Sequence, residues 1–143
     1  MSNQYIVDAS VVVQLLVTDA HSVETKALFT SVKDGNKLIV PEFGLLECTN
    51  VLWKHVRFHG LQPVDAEKQI HIMLALDMVI VPAVGLMPHA LEIGLKHQLA
   101  VYDSIYIALA EKLNLPLITV DQKQSKVAQA ENIVLKPITD FKR

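Results

Sequence analysis

The chain has 143 residues, 51% apolar and 20% charged, with a net charge of −2 and a single cysteine, Cys48. That length fits one domain, expected over 1–143, and a lone cysteine excludes an intrachain disulfide and fits a reducing, cytoplasmic setting. The charge excludes a general electrostatic pull on nucleic acid, so any RNA contact must rest on a local basic patch or on bound metal ions.

A mean hydropathy of +0.32 is high for a small domain. Two outlets for that apolar surface are a sheet covered on both faces and a surface reserved for a partner, and both are expected. The segment from Met1 to Asp8 lacks the basic start and long apolar run of a secretory signal. The most apolar stretch, 72–88, is interrupted by Asp77, Pro82, Gly85 and Pro88, so no membrane span is expected.

In chain order, Tyr5, Ile6 and Val7 form a short strand and 9–17 a helix. A second helix is expected over 21–32, with Val23, Ala27 and Leu28 at helical spacing, before the turn signal Asp34, Gly35, Asn36. The run 38–40 reads as a buried strand closed by Pro41. Residues 42–59 are helical in period. Leu45, Thr49, Leu52 and Val56 share one face; Glu47, Asn50, Lys54 and Arg57 cluster near the opposite one, and Gly60 ends the helix. Pro63 suits the first turn of a helix over 63–76, with Asp65 and Glu67 at its positive end. A strand over 78–81 stops at Pro82, and helices follow over 86–99 and 103–113. A strand over 117–120, a helix over 122–130 and a last short strand over 133–135 complete the chain. Strands separated by helices specify an α/β fold with a parallel sheet, here of four to five strands.

Four acids fall where such a chain brings them together. Asp8 ends the first strand, Asp121 ends the strand before it, Asp103 opens a helix, and Glu47 lies in a very apolar helical neighbourhood. Ligands of parallel α/β sheets bind beyond the carboxyl ends of the strands. Carboxylates gathered there repel unless a cation joins them, and hard oxygen ligands suit Mg²⁺ or Mn²⁺. Each acid also has a plainer reading: Asp8 and Asp103 as helix N-caps, Glu47 on a solvated face, Asp121 at a turn. Asn50 and Lys54 share the Glu47 side, and an acid, an amide and an ammonium on one face suit a metal ligand, a polar orienter and a phosphate contact. Ser10, two residues after Asp8, offers a supporting hydroxyl, and Thr119 points to the Asp121 side if the strand runs through it.

Other chemistry finds less support. His55 and His59 are one turn apart, but no glutamate of a zinc protease lies between them and no third ligand is near in sequence. Cys48 is read as a buried thiol and Trp53 as core or interface. A phosphoacceptor receiver or an Asp-x-Asp phosphatase needs a second acid beside the first-strand Asp, where Val7, Ala9 and Ser10 stand instead.

The segments 6–10, 40–52, 102–110 and 117–121 together resemble the PIN-domain ribonucleases, and more narrowly the VapC-type toxins, in family order over nearly the whole chain. The resemblance implies a three-layer α/β/α fold around a central parallel sheet, Mg²⁺- or Mn²⁺-dependent RNA cleavage, and a VapB-like antitoxin partner. It implies that Asp8, Glu47, Asp103 and Asp121 form the catalytic, metal-binding quartet, with Ser10 and Thr119 supporting. Lys54 and Arg57 would contact the RNA backbone. Gln122, Lys123 and Gln124 follow Asp121, so no second acid backs the fourth position. A homodimer through helices between about residues 42 and 80 is expected, with the antitoxin docking along the Glu47 helix. The rival is a PIN scaffold that binds RNA or protein without cutting, against which the presence of all four acids argues.

Overall fold

Alternation along the strands decides the layering. In β1 (Gln4–Val7), Tyr5 and Val7 face one side and Ile6 the other; in β2 (Lys37–Pro41), Leu38 and Val40 oppose Ile39; in β4 (Leu117–Ile118) the two residues oppose each other. All of these side chains are buried, so both faces of the sheet are covered. Tyr5, Val7, Leu38, Val40 and Ile118 pack against α1 (Ala9–Leu16), α2 (Ser22–Thr30), α3 (Glu42–His59) and α4 (Pro63–Leu74). Ile6, Ile39 and Leu117 pack against α5 (Met87–His97), α6 (Val101–Leu113) and α7 (Gln122–Ala130). The result, in a computed structural model that describes residues 3–142, is a three-layer α/β/α fold. The expected domain span also includes Met1, Ser2 and Arg143, which lie outside the described residues.

The sheet is parallel with strand order β3-β2-β1-β4, β3 being Val79–Val81. The chain steps outward from β1 to β2 and β3, then returns to lay β4 on the other side of β1. The order therefore reverses between β1 and β4. Connections leave in opposite directions at such a point, and a crevice opens beyond the carboxyl ends of the strands. Asp8 follows β1 directly and Asp121 follows β4, so the two acids flank that crevice.

The helices at 42–59 and 122–130 have the expected bounds; other elements differ for local reasons. β4 stops at Ile118 rather than at 120, because the next backbone donors turn to side chains: Val120 N–H to Ser10 Oγ and Asp121 N–H to Thr119 Oγ1. The expected last strand contracts to one bridge, Leu135 against Leu117, before Pro137, which has no N–H to extend a ladder. The second helix tightens into a 3₁₀ turn, Ser31–Asp34, and ends on Gly35 at φ 101°. α6 begins two residues before the expected start, which moves Asp103 from the N-cap into the first turn. Among the described residues no helix is long and apolar enough to cross a membrane.

α5 and α6 meet closely because Gly94 has no side chain. A Cβ there would stand 2.6 Å from the Leu99 carbonyl oxygen, which is backbone and cannot swing aside. Gly94→Ala is expected to destabilise the fold by about 1–3 kcal/mol. That lowers the melting midpoint by several degrees in a thermal scan; an unchanged midpoint would contradict this packing.

Candidate active site

Asp8 stands at the N-cap of α1 but does not cap it: its side chain takes no hydrogen bond from the helix backbone. The carboxylate is 3% exposed and is held by other side chains. Ser10 Oγ donates to Oδ1 and Thr119 Oγ1 to Oδ2, both at 2.5 Å, and Gln124 Nε2 donates to Oδ2 at 2.8 Å. The two hydroxyls are aimed by the chain after β4. Val120 N–H donates to Ser10 Oγ and Asp121 N–H to Thr119 Oγ1, so each hydroxyl hydrogen is left to turn toward Asp8. Burial pushes the Asp8 carboxyl up to about 6; the Ser10 and Thr119 hydrogen bonds pull it down, and Asp121 adds to the push.

Glu47 projects from the second turn of α3. Burial pushes it up to about 7, the Tyr106 hydroxyl that donates to its Oε1 pulls it down, and Asp103 and Asp8 push it further. Gly44 makes room for this contact, since a Cβ there would lie 2.7 Å from Tyr106 Oη. Asp103, in the first turn of α6, is raised by burial and by Asp121, while Lys123 pulls it down. Asp121 is the N-cap of α7, with Oδ1 accepting Gln124 N–H at 3.0 Å.

Each acid thus acts on its neighbours: Asp8 with Asp121 and Glu47, Glu47 with Asp103, Asp103 with Asp121. The four line one cleft of about 440 Å³, together with Ser10, Asn50, Lys54, Phe43 and Tyr102. Thr119 is not part of that wall and acts from behind, through Asp8. Arg57 also lies outside the cleft, with its guanidinium 5.5 Å from the Phe58 ring centroid. The donor set is hard oxygen, held in a place where burial and mutual repulsion disfavour negative charge; this fits a divalent cation. Among the described residues no three such side chains stand ready to enclose an ion, because Glu47 is turned onto Tyr106 and Asp121 onto the start of α7.

The PIN domain model matches residues 5–130, a span that contains all four acids. The chain belongs to the PIN domain family. It is 28% identical over 120 residues to Ribonuclease VapC3 of Pyrobaculum aerophilum, covering 82% of this chain and 89% of that protein. The crystal structure of PAE2754 from Pyrobaculum aerophilum matches with a TM-score of 0.75 at 20% identity, over 98% of this chain and 94% of that one. VapBC2 of Rickettsia felis, solved bound to a DNA fragment from its promoter, matches with a TM-score of 0.68 at 14% identity, over 94% and 98%.

Three residues that support this PIN cleft, Tyr106 in its wall and Gln124 and Gly44 behind it, carry no signal in a search for acids. Gln124 is 1% exposed, yet it shares a helix face with buried Val127 and Ala128. A polar residue on an apolar face was the available sign. Tyr106 and Gly44 act as a pair, and their meeting across two helices has no local trace in sequence. Cys48 is buried, its thiol pushed up to about 12 by burial, with Sγ 3.8 Å from Ala9 O. Trp53 is 54% exposed, which places it at the surface rather than in the core. His55 and His59 have ring centroids 5.1 Å apart and no third ligand group among the described residues.

A carboxyl whose folded pKa lies above its ordinary value costs stability once ionised. For Asp8, raised from 3.8 to about 6, and Glu47, from 4.5 to about 7, that cost is absent at low pH and complete above the folded values. For buried Asp8 alone it is on the order of 3 kcal/mol. In chelator, the melting midpoint should fall as pH rises from about 4 to 7, and Asp8→Asn should flatten the fall. Identical pH profiles for the two proteins would contradict the assignment.

Proposed function

We propose that this chain is a metal-dependent endoribonuclease, the toxin of a toxin–antitoxin pair. The observation that carries the reading is the ring of four mutually coupled carboxylates in the cleft where the strand order reverses. The ribonuclease name of its Pyrobaculum aerophilum relative supports the choice of RNA.

Asp8, Glu47, Asp103 and Asp121 would hold Mg²⁺ or Mn²⁺, which supplies Lewis acidity, lowering the pKa of water and offsetting charge on phosphoryl oxygens. Asp8 is the fixed member: Ser10, Thr119 and Gln124 set the direction of both its oxygens. Glu47, raised to about 7 without a cation and held by the Tyr106 hydroxyl, would gain the most from a cation that favours its ionised form. Asn50 offers an amide to orient water or a phosphate oxygen, and Lys54 brings positive charge to the cleft wall. Arg57, beyond the cleft on the same helix, meets the RNA backbone further along. In the net reaction a water oxygen bonds to phosphorus and the bond to the 3′ oxygen breaks, leaving a 5′-phosphate and a 3′-hydroxyl.

The partner reading rests on the VapC-type pattern and on the likeness to VapBC2. The antitoxin segment lies along the Glu47 face of α3, where it places a basic residue among the acids. Exposed Trp53, Phe58, Ile72, Leu74, Val79 and Ile80 supply apolar surface for a homodimer through α3, α4 and β3. Among the described residues the outer edge of β3 pairs with no strand, and a partner would cover it.

Asp8→Asn and Asp103→Asn should each lower cleavage of pooled cellular RNA by about 100-fold or more, with the circular dichroism of wild type retained. Full activity in excess chelator, or in Asp103→Asn, would end the metal-nuclease reading.

A further inference from the structure

Phe43 and Tyr102 line the acidic cleft but have no part in the chemistry above. They come from the first turns of α3 and α6, and their rings are stacked, 14° from parallel with centroids 5.0 Å apart. Tyr102 is 63% exposed. An aromatic ring backed by a second ring and left open to solvent at a cleft is a held surface rather than a core contact. Its place is specific. Tyr102 is bonded to Asp103 in sequence, and Phe43 lies one turn before Glu47 on the same face of α3. A flat group resting on this pair would have its attached backbone against the acids.

Charge balance gives the pair a task. Four acids and one lysine, Lys54, line the cleft, and the chain carries a net −2. Lys54 and a cation held by the acids offset that charge only at the phosphate itself, so an uncharged contact in the same cleft would add affinity that they do not supply. Stacking of a base on an aromatic ring is such a contact, and it tolerates any base because every base has a π-face.

We propose that the Phe43–Tyr102 pair is a nucleobase platform: an unpaired base stacks on Tyr102, backed by Phe43, and sets the neighbouring phosphodiester against the four acids. The substrate side of this inference rests on the ribonuclease reading. A base still paired in a duplex cannot reach the ring, so the platform selects for segments whose bases are splayed out.

The test uses single-stranded RNA containing a site that the protein cuts, a copy with one abasic residue beside the cut, and a copy with 2-aminopurine there. Tyr102→Leu should raise KM about tenfold while kcat stays within about twofold, and Tyr102→Phe should restore KM. The abasic RNA should show the same penalty with wild type and no further penalty with Tyr102→Leu, since both changes remove one contact. In chelator, where nothing is cut, wild type should quench 2-aminopurine and Tyr102→Leu should not. Penalties that multiply, an unchanged KM, a Tyr102→Leu defect confined to binding a protein partner, or quenching that ignores Tyr102 would each overturn the platform. If wild type cuts no RNA yet quenches 2-aminopurine through Tyr102, the ribonuclease reading falls and the platform stands.

Discussion

Asp8 is withdrawn from water at the end of β1, an interior strand of the sheet, and a carboxylate so placed is expensive unless donors surround it. The donors come from three parts of the chain: Ser10 from α1, Thr119 from the segment after β4, and Gln124 from α7. Holding Asp8 therefore ties the last third of the sequence to the first strand. It also explains why β4 is only two residues long, because the backbone donors that would extend its ladder are spent on orienting the two hydroxyls. Even so, burial outweighs the donors, and the carboxyl stays near 6 rather than falling below its ordinary range.

That remaining imbalance joins stability to chemistry. The fold places three further acids around the same cleft, and each pushes on a neighbour instead of relieving it. Two local contacts keep the arrangement tolerable without a cation: Tyr106 takes up Glu47, and the start of α7 takes up Asp121. Such strain at a site, offset by packing elsewhere, is the usual relation between a working cleft and its scaffold. Here the scaffold is two well-filled cores, one on each face of the sheet, with Ile6 and Val7 of β1 in opposite ones.

The layering was legible because strand alternation and helical period are local patterns, and α3 and α7 have the bounds that their caps and periods indicate. Asp8, Asp103 and Asp121 stood out by their places at element junctions and Glu47 by its apolar helical neighbourhood, and the four line one cleft. What sequence could not carry was the orientation of side chains between elements. Asp8 has the sequence signature of a cap and the structure of a buried anion, whereas Asp121 has much the same signature and does cap. Asp103 is shifted inward because α6 starts at Val101, which a search for capping residues does not reveal. Lys54 and Arg57 lie one turn apart on α3, yet only Lys54 reaches the cleft wall. Tyr106, which holds Glu47, left no local trace, and Gln124, which holds Asp8, showed only as a polar residue on an apolar face, because both contacts span distant segments.

The central claim is that Asp8, Glu47, Asp103 and Asp121 work as one cation site rather than as separate capping and surface residues. Calorimetric titration of the protein with Mn²⁺ at neutral pH measures this directly. The account predicts saturable binding to wild type, weakened by about tenfold or more in each of Asp8→Asn, Glu47→Gln, Asp103→Asn and Asp121→Asn. Binding that is absent from wild type, or that survives unchanged in Glu47→Gln and Asp121→Asn, would contradict it and leave the acids as a helix-face residue and a cap.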